Sequence, residues 1–344
     1  MKKKLFSIFA LLVLVSASAQ DFKNAVDYLN YISKETDLIS KNTWSYTQAV
    51  AHSKNAKKID ASRKLLVKSI QNSAKKISSL KNGYKGDTEY KDQLLSYLVV
   101  SENYINDEYG KIIDLQEVAE QSYDFMEAYI TARDLVNQKI NAEVQKLNAN
   151  QTLFGKKYNI TITEDNSELG KKMKTSNEVF NYHTQLYLIF FKVNVTDINL
   201  MNAVQNKDLN AIQQNASSLE IYAEEGLEKL KTIPPYNKDA SLVNATKKAL
   251  DFYKKEALEM TPKVLNFLML SQKVDDSQAA MEAKAEKERT IEEVQNFNSL
   301  VKTMNKEVME FNKLNTKFFQ EKSTMVKSWE QSGTYFISKH VPKD

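Results

Sequence analysis

The chain has 344 residues, with 48 Lys and Arg against 44 Asp and Glu, 7 Gly, 4 Pro and no Cys. The lack of cysteine excludes disulfides, thiol catalysis and iron–sulfur ligation, so burial of an apolar core must supply the stability. Gly and Pro, which mark turns, fall far below their usual shares of roughly 7% and 5%. Few and widely spaced turns predict long helices, and we expect an all-α fold with no significant sheet.

The first twenty residues are typical of a secretory signal peptide. Three lysines, Lys2 to Lys4, precede an apolar run over residues 5–15, and Ala17-Ser18-Ala19 ends the pattern. We therefore expect residues 1–19 to be a signal peptide cleaved near Ala19, leaving an exported protein of the periplasm, the outer surface or the medium. The mature chain then has three fewer basic residues, 45 against 44 acidic ones, so its charge gives no reason to expect a nucleic-acid partner.

No transmembrane segment is expected. The apolar run of the signal is shorter than the roughly 20 residues that a spanning helix needs. The most apolar segment of the mature chain, Tyr187 to Val195, is short and is interrupted by Lys192. We expect this segment to lie in the central core or where the two halves of the chain meet.

Residues 20–150 predict a first helical bundle of long antiparallel helices. Apolar residues recur there at steps of three and four, the pattern of a helix with one buried face. The predicted helices are 22–50, about 55–81, 88 to about 119, and about 121–150. Asn82 to Gly86 predicts the turn before the third helix, and Asp87 or Thr88 can cap that helix.

Residues 176–340 predict a second bundle that repeats the first, after a polar linker over 151–175. The predicted elements are helices near 176–204 and 207–232, a turn at 234–236, a helix from 239 to about 272, and a long final helix. At an offset of 152 residues, Tyr84 matches Tyr236 and Asp87 matches Asp239. Gly110 and Pro262, which weaken or kink a helix, also match at that offset, so we predict a bend in both halves and an internal duplication.

The apolar spacing of the final predicted helix is typical of a bundle or coiled-coil seam. Its apolar residues follow mostly at steps of three and four: Val294, Phe297, Val301, Met304, Val308, Phe311 and Phe318. From Asp275 to Glu293 large apolar residues are sparse, so this part is expected to project into solvent or to fray.

No motif in the chain indicates catalysis or a cofactor. The histidines, His52, His183 and His340, lie far apart without metal-ligand spacing, and glycine-rich phosphate loops and nucleophile motifs are missing from the sequence. We therefore expect no enzyme activity, no catalytic or cofactor-binding residues and no metal site. His183, between Tyr182 and Leu186, is expected to be a hydrogen-bonded core histidine.

Two charge blocks stand out. Residues 54–81 carry nine Lys and Arg against Asp60 alone, whereas residues 112–132 carry five carboxylates and no basic residue before Arg133. The five, Asp114, Glu117, Glu120, Asp124 and Glu127, share one helix face and repel one another. One hypothesis pairs this acidic ladder with the basic helix of the same bundle. Alternatives are a calcium ion on the ladder, anionic lipid or lipopolysaccharide on the basic helix, or simply solvated charged faces.

A few residues are candidates for a ligand site or an interface. Trp44, Tyr46 and His52 form a polar-aromatic group late in the first helix, where core packing is the competing interpretation. The second group lies on and beside the acidic ladder: Glu117, Glu120, Tyr123 and Asp124.

Several strings of the sequence resemble a family of exported surface proteins of flavobacteria-like and leptospira-like bacteria. They are Asn42-Thr43-Trp44-Ser45-Tyr46-Thr47, Ala49-Val50-Ala51-His52, Asn106-Asp107-Glu108-Tyr109, the segment 117–124, and Leu169-Gly170-Lys171-Lys172-Met173. The resemblance covers most of the mature chain. It implies an all-helical protein at the cell envelope and carries over no catalytic residues, because the family has no established activity.

Three functions follow from these observations. The first is a non-catalytic, exported binding or scaffold protein whose partner is another envelope protein or surface component. The second is a peripheral membrane or lipopolysaccharide-binding protein that uses the basic helix 54–81. The third is a metal-binding protein or enzyme whose site is assembled from residues distant in sequence. The oligomeric state is left open.

Overall fold

The computed structural model describes residues 22–53, 55–119, 123–162 and 167–344; within 107–137, only the side chains of Phe125 and Met126 are described. The α-helices are α1 (Ala25–His52), α2 (Ala56–Ser78), α3 (Glu89–Ala119), α4 (Tyr123–Lys157), α5 (Glu168–Gln205), α6 (Leu209–Leu230), α7 (Ser241–Lys255), α8 (Thr261–Glu282) and α9 (Ile291–His340). Over these ranges there is no strand, only two isolated bridges. The prediction of an all-α fold is confirmed.

The chain divides into two compact units. Unit 1 takes the described residues within Met1–Tyr46, Asp60–Asp107 and Leu135–Glu164, and unit 2 takes those within Thr47–Ile59, Glu108–Asp134 and Asp165–Asp344. These limits differ from the predicted bundles 20–150 and 176–340, because two pieces of the predicted first bundle, 47–59 and 108–134, group with unit 2 by their contacts. The predicted linker 151–175 is also largely helical: α4 runs to Lys157 and α5 begins at Glu168. Because the predicted linker is mostly polar, its composition gave no indication that Phe154 is buried.

Unit 1 has an aromatic core at one end of its helices. Tyr28 of α1 is fully buried, and its ring lies 5.4 Å from that of Phe154 and 5.9 Å from that of Tyr84. Aliphatic residues of α2 and α3, including Leu66, Ile70, Ile77 and Leu98, extend this core along the helices. Their spacing of three and four is the pattern from which the sequence predicted one buried face per helix.

Unit 2 has the larger core, and the apolar segment of α5 runs through it. Phe190 and Val193 are buried there, in one of the two places that the sequence predicted, and Val195 is buried in a smaller cluster with Phe191 and Met126. Trp329 of α9 stacks on Phe190 with ring centres 4.1 Å apart, and its indole N–H donates to the Thr246 hydroxyl at 3.0 Å. The polar end of a buried tryptophan needs such an acceptor, so this hydrogen bond fixes α9 against α7.

The two predicted turns are built alike. In unit 1 Tyr84 and Asp87 form a backbone bridge, and in unit 2 Tyr236 and Asp239 form the same bridge. Gly83 has a φ of +56°, and a Cβ there would lie 1.9 Å from the Asp87 carbonyl oxygen, so only glycine fits. The duplication itself stays a prediction, which these matched turns support.

Where the second bend was predicted, the α-helix is interrupted by a π-helical turn, Glu256–Met260, which ends two residues before Pro262. Proline has no N–H to continue the α-helical ladder, and the Thr261 N–H instead bonds the Glu256 carbonyl five residues back. In the first half, α3 passes through Gly110 as one uninterrupted helix. A glycine weakens a helix but leaves its hydrogen bonds in place, so it does not force the same break.

The helix expected to end near Gln272 continues to Glu282, so that boundary was wrong. The turn lies at 283–290, and α9 begins with a capping box in which Thr290 and Glu293 each bond the other's backbone N–H. None of the described helices combines the length and the apolar character that crossing a bilayer requires.

Candidate functional site

The sequence-predicted candidates fall into separate places. Trp44 and Tyr46 belong to unit 1, where Trp44 is buried and Tyr46 packs at the edge of the core. His52 is the last residue of α1 and belongs to unit 2. Both of its ring nitrogens are shielded from solvent and lack a hydrogen-bond partner in the described part of the chain. A ligand role for these three residues stays a prediction.

The acidic candidates cannot be placed in the same way. The side chains of Glu117, Glu120, Tyr123 and Asp124 lie outside the described residues, and so does the rest of the acidic ladder. The proposed pairing of the ladder with the basic helix therefore stays a prediction, as does a calcium ion on it. Three basic side chains of α2 have described partners: Lys76 pairs with Glu35, and Arg63 and Lys64 pair with Asp60.

The most distinctive surface belongs to a helical hairpin in unit 2, which we call the arm. The arm comprises residues 265–317: α8 after Val264, the connecting turn, and α9 before Phe318. All of these residues are described, and none of their side chains is fully buried. The arm nevertheless carries the apolar spacing of a coiled-coil seam, so it exposes to solvent a surface that helices normally cover.

The seam of the arm forms an apolar groove between its two helices. Val274 and Met281 of α8 face Val294, Val301 and Met304 of α9 along this groove. Nearer the base, the rings of Phe267 and Phe311 stack with centres 4.2 Å apart and planes within 2°. Two helices bury only one side of each of these residues, which leaves the seam half-covered.

The arm also carries strongly exposed apolar side chains. Met309 is 75% exposed, Ile291 78% and Met269 49%. Single exposed apolar residues are ordinary on protein surfaces. Here they flank a continuous half-buried seam on one hairpin, and methionine is a side chain that adapts to varied binding partners. This combination makes the arm the candidate interface.

At the base of the arm lies a buried charge cluster. Lys322 of α9 places its ammonium nitrogen 2.7 Å from Oδ1 of Asp197, on α5, and 2.7 Å from Oε1 of Glu256, on the π-helical turn. The Asp197 and Glu256 side chains are 6% and 3% exposed. Three separate elements of unit 2 are thus tied together by one ammonium group.

Burial sets the electrostatics of this charge cluster. Desolvation and, after it, the nearby Asp197 charge together raise the pKa of Glu256 to about 7, against the lowering effect of Lys322. Desolvation also raises the pKa of Asp197, again opposed by Lys322. One ammonium cannot neutralise two buried carboxylates, so the cluster favours holding a proton near neutral pH.

No sequence motif marked the charge cluster as a whole, because its members are far apart in the chain. One member gave a signal: Asp197 comes two residues after the most apolar segment of the mature chain, where an acidic residue requires a partner. The described residues contain no group of three or more His, Cys, Asp or Glu that could hold a metal ion. The observed arrangement suits structural or proton-binding roles.

The fold is therefore that of an all-α protein that carries a helical hairpin with a half-covered seam. No family model, no curated protein and no solved structure matches the chain. The resemblance to exported surface proteins stays a prediction from the sequence.

Proposed function

We propose that this protein is an exported, non-catalytic binding or scaffold module of the cell envelope, and that it binds its partner through the arm. The observation that carries the proposal is the half-covered apolar seam over residues 265–317. Exposing such a surface to water is unfavourable, and a partner that covers it is bound more tightly by roughly 25 cal/mol for each Å² of apolar area removed from water. Export rests on the signal-like residues 1–19.

Site-directed crosslinking in the native cells tests the arm. A photo-crosslinking amino acid at position 309 should give a discrete adduct with another envelope component, whereas one at position 238, in the turn before α7, should give none. If the probe at position 309 gives no adduct, or if both positions give the same adducts, the arm is not the interface.

A matched pair of substitutions sharpens that test. Met309→Glu places a charge on the arm and should abolish the adduct formed from a probe at position 301. Ile221→Glu makes the same kind of change at a 52% exposed apolar position of α6 and should leave the adduct intact. Equal loss in both variants would indicate a general effect on the protein.

A second candidate function rests on α2. Lys57, Lys64, Lys68 and Lys75 follow one another at steps of seven and four, which places them within about 20° of one line on the helix. All four are exposed, and Leu65 beside them is 59% exposed. A lysine stripe with an adjoining apolar side chain suits the surface of an anionic membrane or lipopolysaccharide.

Co-sedimentation with vesicles separates the two functions. If α2 binds membranes, the mature protein should sediment with vesicles containing anionic lipid at low salt, and should do so much less at high salt or with zwitterionic vesicles. Changing the four stripe lysines to Gln should abolish sedimentation. The matched control changes four exposed lysines of α9, Lys302, Lys306, Lys313 and Lys317, to Gln and should retain it. Equal loss in both would mean that overall charge, not the stripe, is responsible.

A further inference from the structure

The charge cluster lies where the arm joins the body of unit 2. Lys322 is five residues beyond the end of the arm, and the π-helical turn directly precedes α8. Both helices of the arm are therefore anchored at residues that take part in, or adjoin, the same three-residue cluster.

The geometry leaves one carboxylate oxygen without a compensating charge. Oε1 of Glu256 and Oδ1 of Asp197 share the Lys322 ammonium, but Oε2 of Glu256 is fully buried and accepts no hydrogen bond from the described residues. A buried carboxylate oxygen in that position is costly unless it carries a proton, in which case it can donate a hydrogen bond to Asp197.

The remaining charged groups near the cluster leave this balance unchanged. Tyr253, one turn earlier on α7, interacts with both acids, and its hydroxyl bonds Asn194 at 2.8 Å. On the outer side, Lys255 pairs with Glu321 of α9, and Lys254 pairs with Glu224 of α6. Lys263 of α8 is exposed. Those surface lysines already face other acids or water.

We propose that Asp197, Glu256 and Lys322 form a proton-dependent lock that holds the arm-bearing helices α8 and α9 on unit 2 when one proton is bound and loosens them when it leaves. With the proton present, Glu256 donates to Asp197 and Lys322 offsets the single remaining negative charge. Loss of the proton to water leaves two buried carboxylates against one ammonium. The excess negative charge is then stabilised if α8 and α9 move away from α5 at the base of the arm and let water reach the carboxylates. The lock does not depend on which partner the arm binds.

The sign of the effect follows from the raised pKa values. A carboxyl group whose pKa is higher in the folded chain stabilises the fold below the unfolded value, near 4.3, and loses that contribution as pH rises toward 7. His183 works in the opposite direction, because burial lowers its pKa to about 4 and protonation below pH 6.5 disfavours the fold. The total stability therefore mixes the two effects, and the lock must be read as a difference between variants.

The test compares the mature wild-type protein with Glu256→Gln between pH 5 and 8. Glutamine mimics the protonated acid, so the variant should match the wild type at pH 5 and exceed its melting temperature by a few degrees at pH 8. Protection of backbone amides in 318–326 against hydrogen exchange, corrected for intrinsic rates, should fall with rising pH in the wild type and stay level in the variant. Glu321→Gln is the matched control, since it removes an acidic charge next to Lys322 at the surface and should give a difference independent of pH.

Direct titration decides the matter if the variant folds poorly. The side-chain carboxyl carbon of Glu256, followed by NMR in the wild-type protein, should titrate with a midpoint above pH 6. A midpoint near 4.3, the ordinary value of a glutamate, would overturn the lock. So would a Glu256→Gln melting-temperature difference that is the same at pH 5 and pH 8.

Discussion

The turns of unit 1 and unit 2 use one design, whereas the helices behind them differ. Asp87 accepts hydrogen bonds from Lys157 at 2.8 Å and from the Tyr158 hydroxyl at 3.2 Å. Asp239 accepts one from Lys339 at 2.7 Å and lies 2.9 Å from Nε2 of His340. In both units the turn before the third helix is thus held by the last turn of the final helix.

The difference appears where unit 2 places its charge cluster. Counting from Tyr28 and Tyr182 places Thr43 of unit 1 at the position of Asp197. Counting from Asp87 and Asp239 places Tyr104 at the position of Glu256, and counting from Lys157 and Lys339 places Ile140 at the position of Lys322. Unit 1 therefore has neither a carboxylate nor an ammonium group at those positions. The comparison indicates that the turn serves the fold in each unit, whereas the charge cluster at the base of the arm has no counterpart at these three described positions of unit 1.

The largest expected effect comes from removing the cation of the cluster. Lys322→Met leaves two buried carboxyl groups without their ammonium, and breaking a buried pair in this way costs about 3–5 kcal/mol of unfolding free energy. Ile140→Met, the corresponding change in unit 1, should cost under about 1.5 kcal/mol. Urea unfolding at pH 7.5 measures both. Similar small costs in the two units would mean that the cluster is not buried as described.

A smaller effect is expected from His183, which follows Tyr182 as Leu29 follows Tyr28. The His183 ring packs against Gly333, where a Cβ would lie 2.8 Å from its Nε2, and burial lowers its pKa to about 4. Between pH 7.5 and 5 this group should cost the folded state about 2 kcal/mol, because only the unfolded chain is then protonated. The His183→Leu variant, which borrows the unit 1 residue, should lose correspondingly less stability over that range in urea unfolding. Parallel pH profiles for the two proteins would contradict the assignment.

The smallest expected effect distinguishes the two turns. Burial alone would raise the pKa of Asp87 and of Asp239, but their hydrogen bonds outweigh it and lower both, Asp239 the more. Each then stabilises the fold above pH 3.8, and that contribution is lost as the pH falls below 3.8. Asp239→Asn should cost roughly 1 kcal/mol at pH 7 and Asp87→Asn somewhat less. In both variants the loss of stability relative to the wild type should become smaller below pH 3.8. Melting curves recorded from pH 7 to pH 3 would show this. A cost that persists unchanged at pH 3 would mean that charge is not involved.

The sequence predicted the helices and the turns because these depend on local rules. Apolar spacing and the scarcity of Gly and Pro required helices, and Asn82 to Gly86 supplied the positive φ values that the first turn needs. The predicted break between α8 and α9 was misplaced because sparse apolar residues after Gln272 do not end a helix, whereas the spacing of Thr290 and Glu293 is that of the capping box that begins α9.

The candidate site was beyond the reach of such local rules. Asp197, Glu256 and Lys322 meet only through the packing of α5, the π-helical turn and α9, and residues on three long helices share no spacing that a sequence pattern could detect. The arm was partly predicted, since the seam of α9 was evident from Val294 onward. Its half-covered state was not, because spacing shows which face of a helix is apolar and not how many neighbours cover it.

Helix α9 runs unbroken for 50 residues, about 75 Å, from the tip of the arm to the lysine that binds the second turn. A helix of that length bends only gently along its course. Because the tip lies far along this helix from Lys322, any small rotation of α9 about Lys322 would displace the tip by a much larger distance than it displaces the residues of the charge cluster.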